Sequence, residues 1–353
     1  MSIIWWQTFT TPPIIKDSNM ADVNVYLLDN NFNKIGYLDT FESLIWAKRY
    51  NSKGALDLQI QPTQLIKKGY FLQRTDDDSL MQVTALEYKN NELIVGAEDC
   101  QCLLYQRIIW KTIVFSGTVE DFIRQIITDN IISPTNEKRK IANFYMTDRK
   151  GFEDTIEAQT DYENVGEKIE ELCKTYDYGF RVIFKDGAFY FDLYKGDASK
   201  CIFSPEYENL GDTSFRTNNE EYKNVCLVGG EGDGIARRTE SVNLSDEEPE
   251  GTARFEMFLD ESSLSIEQET EVEELIYRKQ LQSEGLQELK NITTTEFEGD
   301  VVLETYKYKT DYNLGDTVYI RDKYGNEANQ RIREVTETWD VSGYSLEISF
   351  SED

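Results

Sequence analysis

The chain has 353 residues, 39% of them apolar and 12% aromatic, and its 66 acidic against 37 basic side chains leave a net charge of -29. That length suits roughly two to four compact domains, and an aromatic share with 21 Tyr and 18 Phe leans towards β-structure. The charge disfavours nucleic acid and anionic membranes as binding partners, while the absence of histidine excludes Ser-His-Asp and Cys-His nucleophiles, His bases and His-ligated metals but leaves carboxylate-only chemistry open.

The same charge serves equally as a solubility device or as a surface that repels polyanions. Cysteines at 100, 102, 173, 201 and 226 are odd in number and irregularly spaced, so they imply free thiols in a reducing compartment rather than a disulfide framework. The N-terminus lacks a basic stretch, and Pro12-Pro13 interrupts its apolar run; no segment offers the ~18 apolar residues of a membrane span.

Residues 1–22 read as an arm whose Trp5-Trp6 pair packs on a neighbouring subunit or on its own domain. From Val23 the pattern alternates with period two. Val23, Val25 and Leu27 are followed by a turn at Asp29-Asn30-Asn31, and Leu56, Leu58 and Ile60 resume the alternation. Gly69 opens Tyr70-Phe71-Leu72, Asp76-Asp77-Asp78 makes a solvated turn, and Met81, Val83 and Ala85 lead to Asn90-Asn91 and Leu93-Ile94-Val95. This span, 23–110, is expected to be a small β-barrel.

Thr118, Glu120 and Asp121 start a helix whose apolar face is Val119, Phe122, Ile123, Ile126 and Ile127, and Ser133-Pro134 ends it. A second helix from near Asp161 carries Val165, Ile169, Leu172, Cys173 and Tyr176, with Gly179 as its C-terminal cap. Phe180–Phe184, Asp186-Gly187 and Ala188–Leu193 form a hairpin. Residues 111–207 are therefore expected to be an α+β domain. A second barrel is assigned to 208–230 and 295–353, interrupted by an acidic loop and charged helix at 231–294. Residues 229–262 read as irregular. The helix runs from Ile266 to about Lys290, burying a stripe of Val272, Leu275, Ile276, Leu286 and Leu289, with its acids early and its bases late to suit the dipole.

Two stretches echo each other. Gly69–Ala97 and Gly315–Ser349 each run from a glycine through a strand (Leu72, Val318), a basic residue (Arg74, Arg321), an Asp-bearing loop and two further strands joined by a short turn. Upstream, Ser43–Ile60 pairs with Thr213–Val228. At this level the echo is either a duplicated β unit or chance likeness between meanders. The fold class expected is α+β, mostly β.

Leu314-Gly315-Asp316-Thr317-Val318-Tyr319-Ile320, followed by Arg331–Trp339, resembles a signature of phage tail-hub proteins. Val25–Asp29, Phe41–Trp46, Gly54–Leu58, Arg107–Trp110 and Phe115–Glu120 resemble the opening of siphophage hubs in the same order. This family is related to the N-terminal part of tail-associated lysins and to hubs of contractile baseplates. The resemblance implies a homotrimer whose two barrels per chain present six similar barrels to a hexameric tail tube. It also implies partners: a distal tail or tube protein, fibre, tip or lysin components, the tape measure protein, and genomic DNA that passes without specific binding. The implied location is the virion tail tip, after synthesis in the bacterial cytoplasm.

No catalytic, cofactor or metal site is expected. Gly229–Gly234 is acidic and lacks the Lys-Ser/Thr of a phosphate loop, so it reads as a flexible loop. Cys100-Gln101-Cys102 has no second pair for a metal, and Asp76–Asp78 lacks the EF-hand pattern. Two rivals remain: a receptor- or carbohydrate-binding β-protein using exposed aromatics, and a carboxylate-dependent hydrolase.

Overall fold

The computed structural model describes residues 23–77, 79–217, 222–245, 247–265, 270–292, 295–301 and 305–352. The N-terminal arm and its Trp pair therefore lie outside the described residues.

The first β module is a meander of β1 (Val25–Leu28), β2 (Lys34–Leu38), β3 (Ser43–Arg49), β4 (Ala55–Ile60), β5 (Phe71–Arg74), β6 (Leu80–Lys89) and β7 (Glu92–Asp99). The alternation expected from sequence is the alternation observed: Leu56, Leu58 and Ile60 are buried between more exposed neighbours. Asn90 and Asn91, both at positive φ, make the tight β6–β7 turn that matches strand twist. Side chains from β1, β3, β4, β5, β6 and β7 converge on one core that includes Val25, Leu44, Trp46, Leu58, Leu72, Val83 and Val95. For one sheet face to enclose a core, the sheet must curl around it.

After α1 (Cys102–Tyr105) comes a helix–hairpin unit. It contains β8 (Ile113–Thr118), α2 (Val119–Ile127), β9 (Phe144–Met146), β10 (Thr155–Thr160), α3 (Val165–Thr175), β11 (Gly179–Lys185) and β12 (Ala188–Tyr194). Thr118 Oγ1 caps α2 by accepting from the Asp121 amide at 3.2 Å, a contact of about 1 kcal/mol. All five apolar residues expected on that face are buried. Gly179 is not the cap of α3. Tyr176 ends that helix, Asp177 takes the left-handed turn at φ 54°, and Gly179 opens β11 instead.

The second module consists of β13 (Ala198–Phe203), β14 (Leu210–Thr217), β18 (Thr295–Val301), β19 (Thr317–Arg321), β20 (Glu327–Asp340) and β21 (Gly343–Glu352). An insertion between β14 and β18 holds β15 (Val225–Gly229), β16 (Thr239–Asn243), β17 (Glu256–Asp260) and α4 (Glu271–Asn291). Four sequence expectations change here. Ala198–Phe203 pairs with β19, so it joins the second module. Val225–Gly229 pairs with β16 and β17, so it belongs to the insertion, and residues 229–262 hold two strands rather than none. The counterpart of β4 in the second half is β18, beyond the insertion.

The buried stripe of α4 keeps Leu289 and Leu286 of those expected but is displaced in its first half. Tyr277, Leu281, Gly285 and Leu289 are buried at four-residue spacing, while Leu275 is exposed. Gly285 sets that register, because a Cβ there meets Val228 and Val242 at 2.6 and 2.7 Å. The helix can therefore lie close on the small sheet only with this face inward. Of the expected stripe, the Val272 side chain lies outside the described residues.

Among the described residues, strand order in the main sheet is β14-β18-β21-β20-β3-β4-β7-β6-β5-β1-β2, with β19 on β20 and β13 on β19. Among these residues no pairing closes either half into a barrel. The two halves are fused into a single sheet through β20 and β3.

Candidate functional site

The seam between the modules carries a connected set of buried polar side chains. Its backbone is an antiparallel ladder from Glu334↔Arg49 to Asp340↔Ser43. Trp339 reaches across from β20 into the core of the first module. Glu337, opposite Trp46, accepts from Arg74 Nη1 at 2.5 Å, and Tyr344 Oη donates to its other oxygen at 3.2 Å.

Arg74, at the end of β5, has no exposed side-chain surface. Its guanidinium lies between the rings of Trp46 (5.4 Å) and Trp339 (4.7 Å), and it also pairs with Asp76 and Asp77. Lys48 and Lys309, one from each module, pair with Asp77 as well. Burial pushes the Asp77 carboxyl up, but Lys48 and Arg74 outweigh it and hold it well below the usual range. Burial likewise opposes the Arg74 charge, and Asp76 and Glu337 more than restore it. Asp76 stays exposed in a bend as the sequence suggested, but Asp77 is drawn in rather than solvated. A buried cation demands carboxylates, and these two supply them. Asp78 lies outside the described residues.

A second node lies at Tyr50, just past β3, where three parts of the chain meet. Tyr50 is fully buried, and its hydroxyl donates to the Asp177 carbonyl at 3.1 Å. Arg331 and Arg333 of β20 lie 5.4 and 5.3 Å from its ring and pair with Asp177 at 2.5 and 2.8 Å. Gly179 and Gly315 pack on the ring so closely that a Cβ at either would sit within 2.5 Å of it. This explains the glycine at 179 better than a helix cap does.

The motifs weighed for chemistry fall elsewhere. All five cysteines are buried free thiols, and burial pushes Cys102 up to about 12. Gly229 closes β15, and Gly230 packs on Tyr277; Arg237 donates to both carbonyls at 2.9 and 3.0 Å. This part of the glycine-rich run is packed structure rather than loop. Among the described residues, no group of three or more His, Cys, Asp or Glu is placed to hold a metal. Trp46 and Trp339 are interior and Trp110 is half exposed beneath Arg139, so these tryptophans form no shared aromatic platform.

The insertion docks on the helix–hairpin unit around one buried cation, Lys168 of α3. Its ammonium pairs with Glu171 at 3.2 Å and Glu163 at 3.6 Å, and Glu261 and Glu284 line the same 270 Å³ cavity. Burial pushes Glu284 up to about 7, against the pull of Lys168. A carboxyl raised in the folded state stabilises at pH below its ordinary 4.5 and loses that contribution as pH climbs to about 7. Glu284→Gln is therefore expected to gain about 1 kcal/mol at pH 8 and to flatten the stability profile between pH 5 and 7. Thermal melts across that pH range check it; an unchanged slope contradicts it.

Comparison with known proteins follows this geometry. Residues 24–350 match the family model described as Siphovirus ReqiPepy6 Gp37-like protein. A search of curated protein sequences finds no match. Among solved structures, the 43 kDa tail protein of prophage MuSo2 from Shewanella oneidensis superposes with a TM-score of 0.58 at 12% identity, covering 93% of this chain and 98% of that one. A tail protein from Neisseria meningitidis gives 0.59 at 10% identity, over 94% and 97% of the two chains. Prophage tail protein gp18 from Listeria monocytogenes gives 0.57 at 15% identity, over 94% and 95%. At such identities these likenesses speak for the fold alone, a phage tail protein fold. With nearly its whole length matched by the family model, the chain belongs to the Siphovirus ReqiPepy6 Gp37-like family.

Proposed function

We propose that this protein is the structural hub of a phage tail tip. In this reading three chains form a ring of six quasi-equivalent β modules that joins a hexameric tail tube to threefold tip components. One observation carries it: the modules repeat the same strand path. The order β3-β4-β7-β6-β5 in the first half corresponds to β14-β18-β21-β20-β19 in the second, every neighbouring pair antiparallel, while the flanking strands differ, β1 running antiparallel to β5 and β13 parallel to β19. A duplicated unit within one chain lets a threefold assembly offer six similar faces. The family match and the tail-protein fold point the same way.

The ring places the protein in the virion, with the tube or a distal tail protein on one side and fibre, tip or lysin proteins on the other. The tape measure protein and the genome pass through its centre. Acidic side chains on the lumen keep DNA sliding, because phosphate contacts need cations. The role requires no catalysis. Light scattering on the purified chain, with electron microscopy of its assemblies, tests this: a threefold mass and a ring with a central channel support it. Saturable glycan binding by a strict monomer that never joins a tail contradicts it, as does wall hydrolysis abolished by one carboxylate substitution.

A further inference from the structure

Among the open strand edges of the described residues, two are counterparts of the two already joined at the seam. In β20, the first part pairs with β19 and the last part, Glu334–Asp340, with β3. In β6, the first part, Leu80–Gln82, pairs with β5 in the same way, but among the described residues no strand covers the outer edge of Ala85–Lys89. At the far end of the sheet, β14 has β18 as its sole strand neighbour among the described residues.

Superposing the closing hairpins, Lys89↔Glu92 on Asp340↔Gly343, aligns Ala85 with Thr336 and Tyr88 with Trp339. Following the ladders outward through β7, β4 and β3, and through β21, β18 and β14, aligns Trp46 with Thr213 and Ala47 with Ser214. The open edge of β6 is therefore the counterpart of the seam edge of β20, and β14 is the counterpart of β3.

A separate observation concerns the side chains. Trp339 belongs to the second module, yet it is 3% exposed because it inserts into the first module's core. Its counterpart Tyr88 is 47% exposed, a large aromatic at an open edge. Unpaired edges carrying apolar side chains are liabilities that natural sheets cover.

We infer that the open edge of β6 in one chain pairs antiparallel with β14 of a second copy, reproducing the internal seam between subunits. This rests on the ring reading above and specifies its contact. The seam pairs Thr336↔Ala47 and Glu337↔Trp46; by the alignment, the contact between copies pairs Ala85 with Ser214 and Leu86 with Thr213. Tyr88 then fills the place against the neighbour's second module that Trp339 fills within the chain. The contact is head-to-tail, so it closes into a ring when the rotation per copy is one third of a turn.

The test uses the full chain carrying Ala85→Cys with Ser214→Cys, and separately Leu86→Cys with Thr213→Cys. Each is oxidised, run on non-reducing gels and weighed by light scattering. At least one pair is expected to give a covalent ladder that ends at three chains, while each single substitution stays uncrosslinked. A ladder running past three upholds the edge pairing and overturns the closed ring. A threefold mass with no ladder from either pair overturns the edge pairing and leaves the ring standing. Monomers with no ladder overturn both. Tyr88→Lys, at an exposed position whose hydroxyl donates to the Thr63 carbonyl at 2.7 Å, is expected to weaken self-association at least tenfold with the far-ultraviolet circular dichroism unchanged; an unaltered association contradicts the role given to Tyr88.

Discussion

Replacing Arg74 by Met is expected to destabilise the protein by about 4 kcal/mol, the cost of leaving buried carboxylates without their cation. Glu337 and Asp77 are nearly inaccessible, and Arg74 contacts both. Lys48 and Lys309 still reach Asp77 after the change, but neither is paired with Glu337 in this structure. Removing both partners, Arg74→Met with Glu337→Met, is expected to cost less than the single change, because the buried Glu337 charge goes with its cation, Asp77 keeps Lys48 and Lys309, and Asp76 is exposed to water. Arg74→Lys keeps the charge but loses the planar stacking between two indoles and the fork to Glu337, so an intermediate loss is expected. Because Trp46 and Trp339 flank the guanidinium, tryptophan fluorescence during urea unfolding reports on this node. A midpoint shift worth less than about 1 kcal/mol for Arg74→Met contradicts the account, given the usual 3–5 kcal/mol for breaking a buried pair. The pH dependence has a definite sign. The Asp77 carboxyl is held below its ordinary 3.8, so its contribution is full above that pH and is lost only as pH falls below it.

Tyr50→Ala is expected to cost about 4 kcal/mol, in the range for removing a buried aromatic. The ring fills the junction of β3, the helix–hairpin unit and the second module, and neighbours on all sides are shaped to it. Gly179 and Gly315 approach its face, and Tyr194 meets it edge-on at 5.3 Å. Tyr50→Phe retains the ring and loses the hydrogen bond to Asp177, so about 1 kcal/mol is expected. The reverse experiment is Gly196→Ala. A Cβ there lies 1.7 Å from the Gly315 carbonyl oxygen, a clash with backbone rather than with a yielding side chain. It is expected to cost about 2 kcal/mol or more by forcing β13 and β19 apart. Limited proteolysis, read with urea unfolding, checks both: faster cleavage near residues 195–198 is expected in Tyr50→Ala and Gly196→Ala. If Tyr50→Ala unfolds and resists protease like the parent protein, the three-way junction is not held by that ring.

Much of the strand framework was legible because one face of each strand is buried and the other wet. Leu56, Leu58 and Ile60 show it, as do the turn residues Asn90-Asn91 and Asp186-Gly187. Helix α2 was legible for the same reason, with its cap at Thr118. The insertion was not, because its strands are short and half exposed. Glu256–Asp260 alternates exposed and intermediate positions and buries little, so its sequence looks like a loop. In α4 the charged residues hid the register, which depends on a close approach at Gly285 that periodicity does not register. The seam was the least legible of all. Arg74 finds Glu337 263 positions away, and no local pattern announces such a pair. The signal available was an arginine in an apolar strand with three aspartates starting two positions on. The echo between the halves was visible downstream of Gly69 and Gly315, but its upstream match was misplaced, because the insertion separates β14 from β18.

The central claim is that one chain, by repeating a β unit, lets three copies stand in for six. A cryo-electron-microscopy reconstruction of the tail tip, calculated without imposed symmetry, measures this directly. The account predicts a threefold density in which six similar β modules alternate around a common channel, seated against a sixfold tube. A density in which the modules of this chain lie off the tail axis, or surround it in some number other than six, contradicts it.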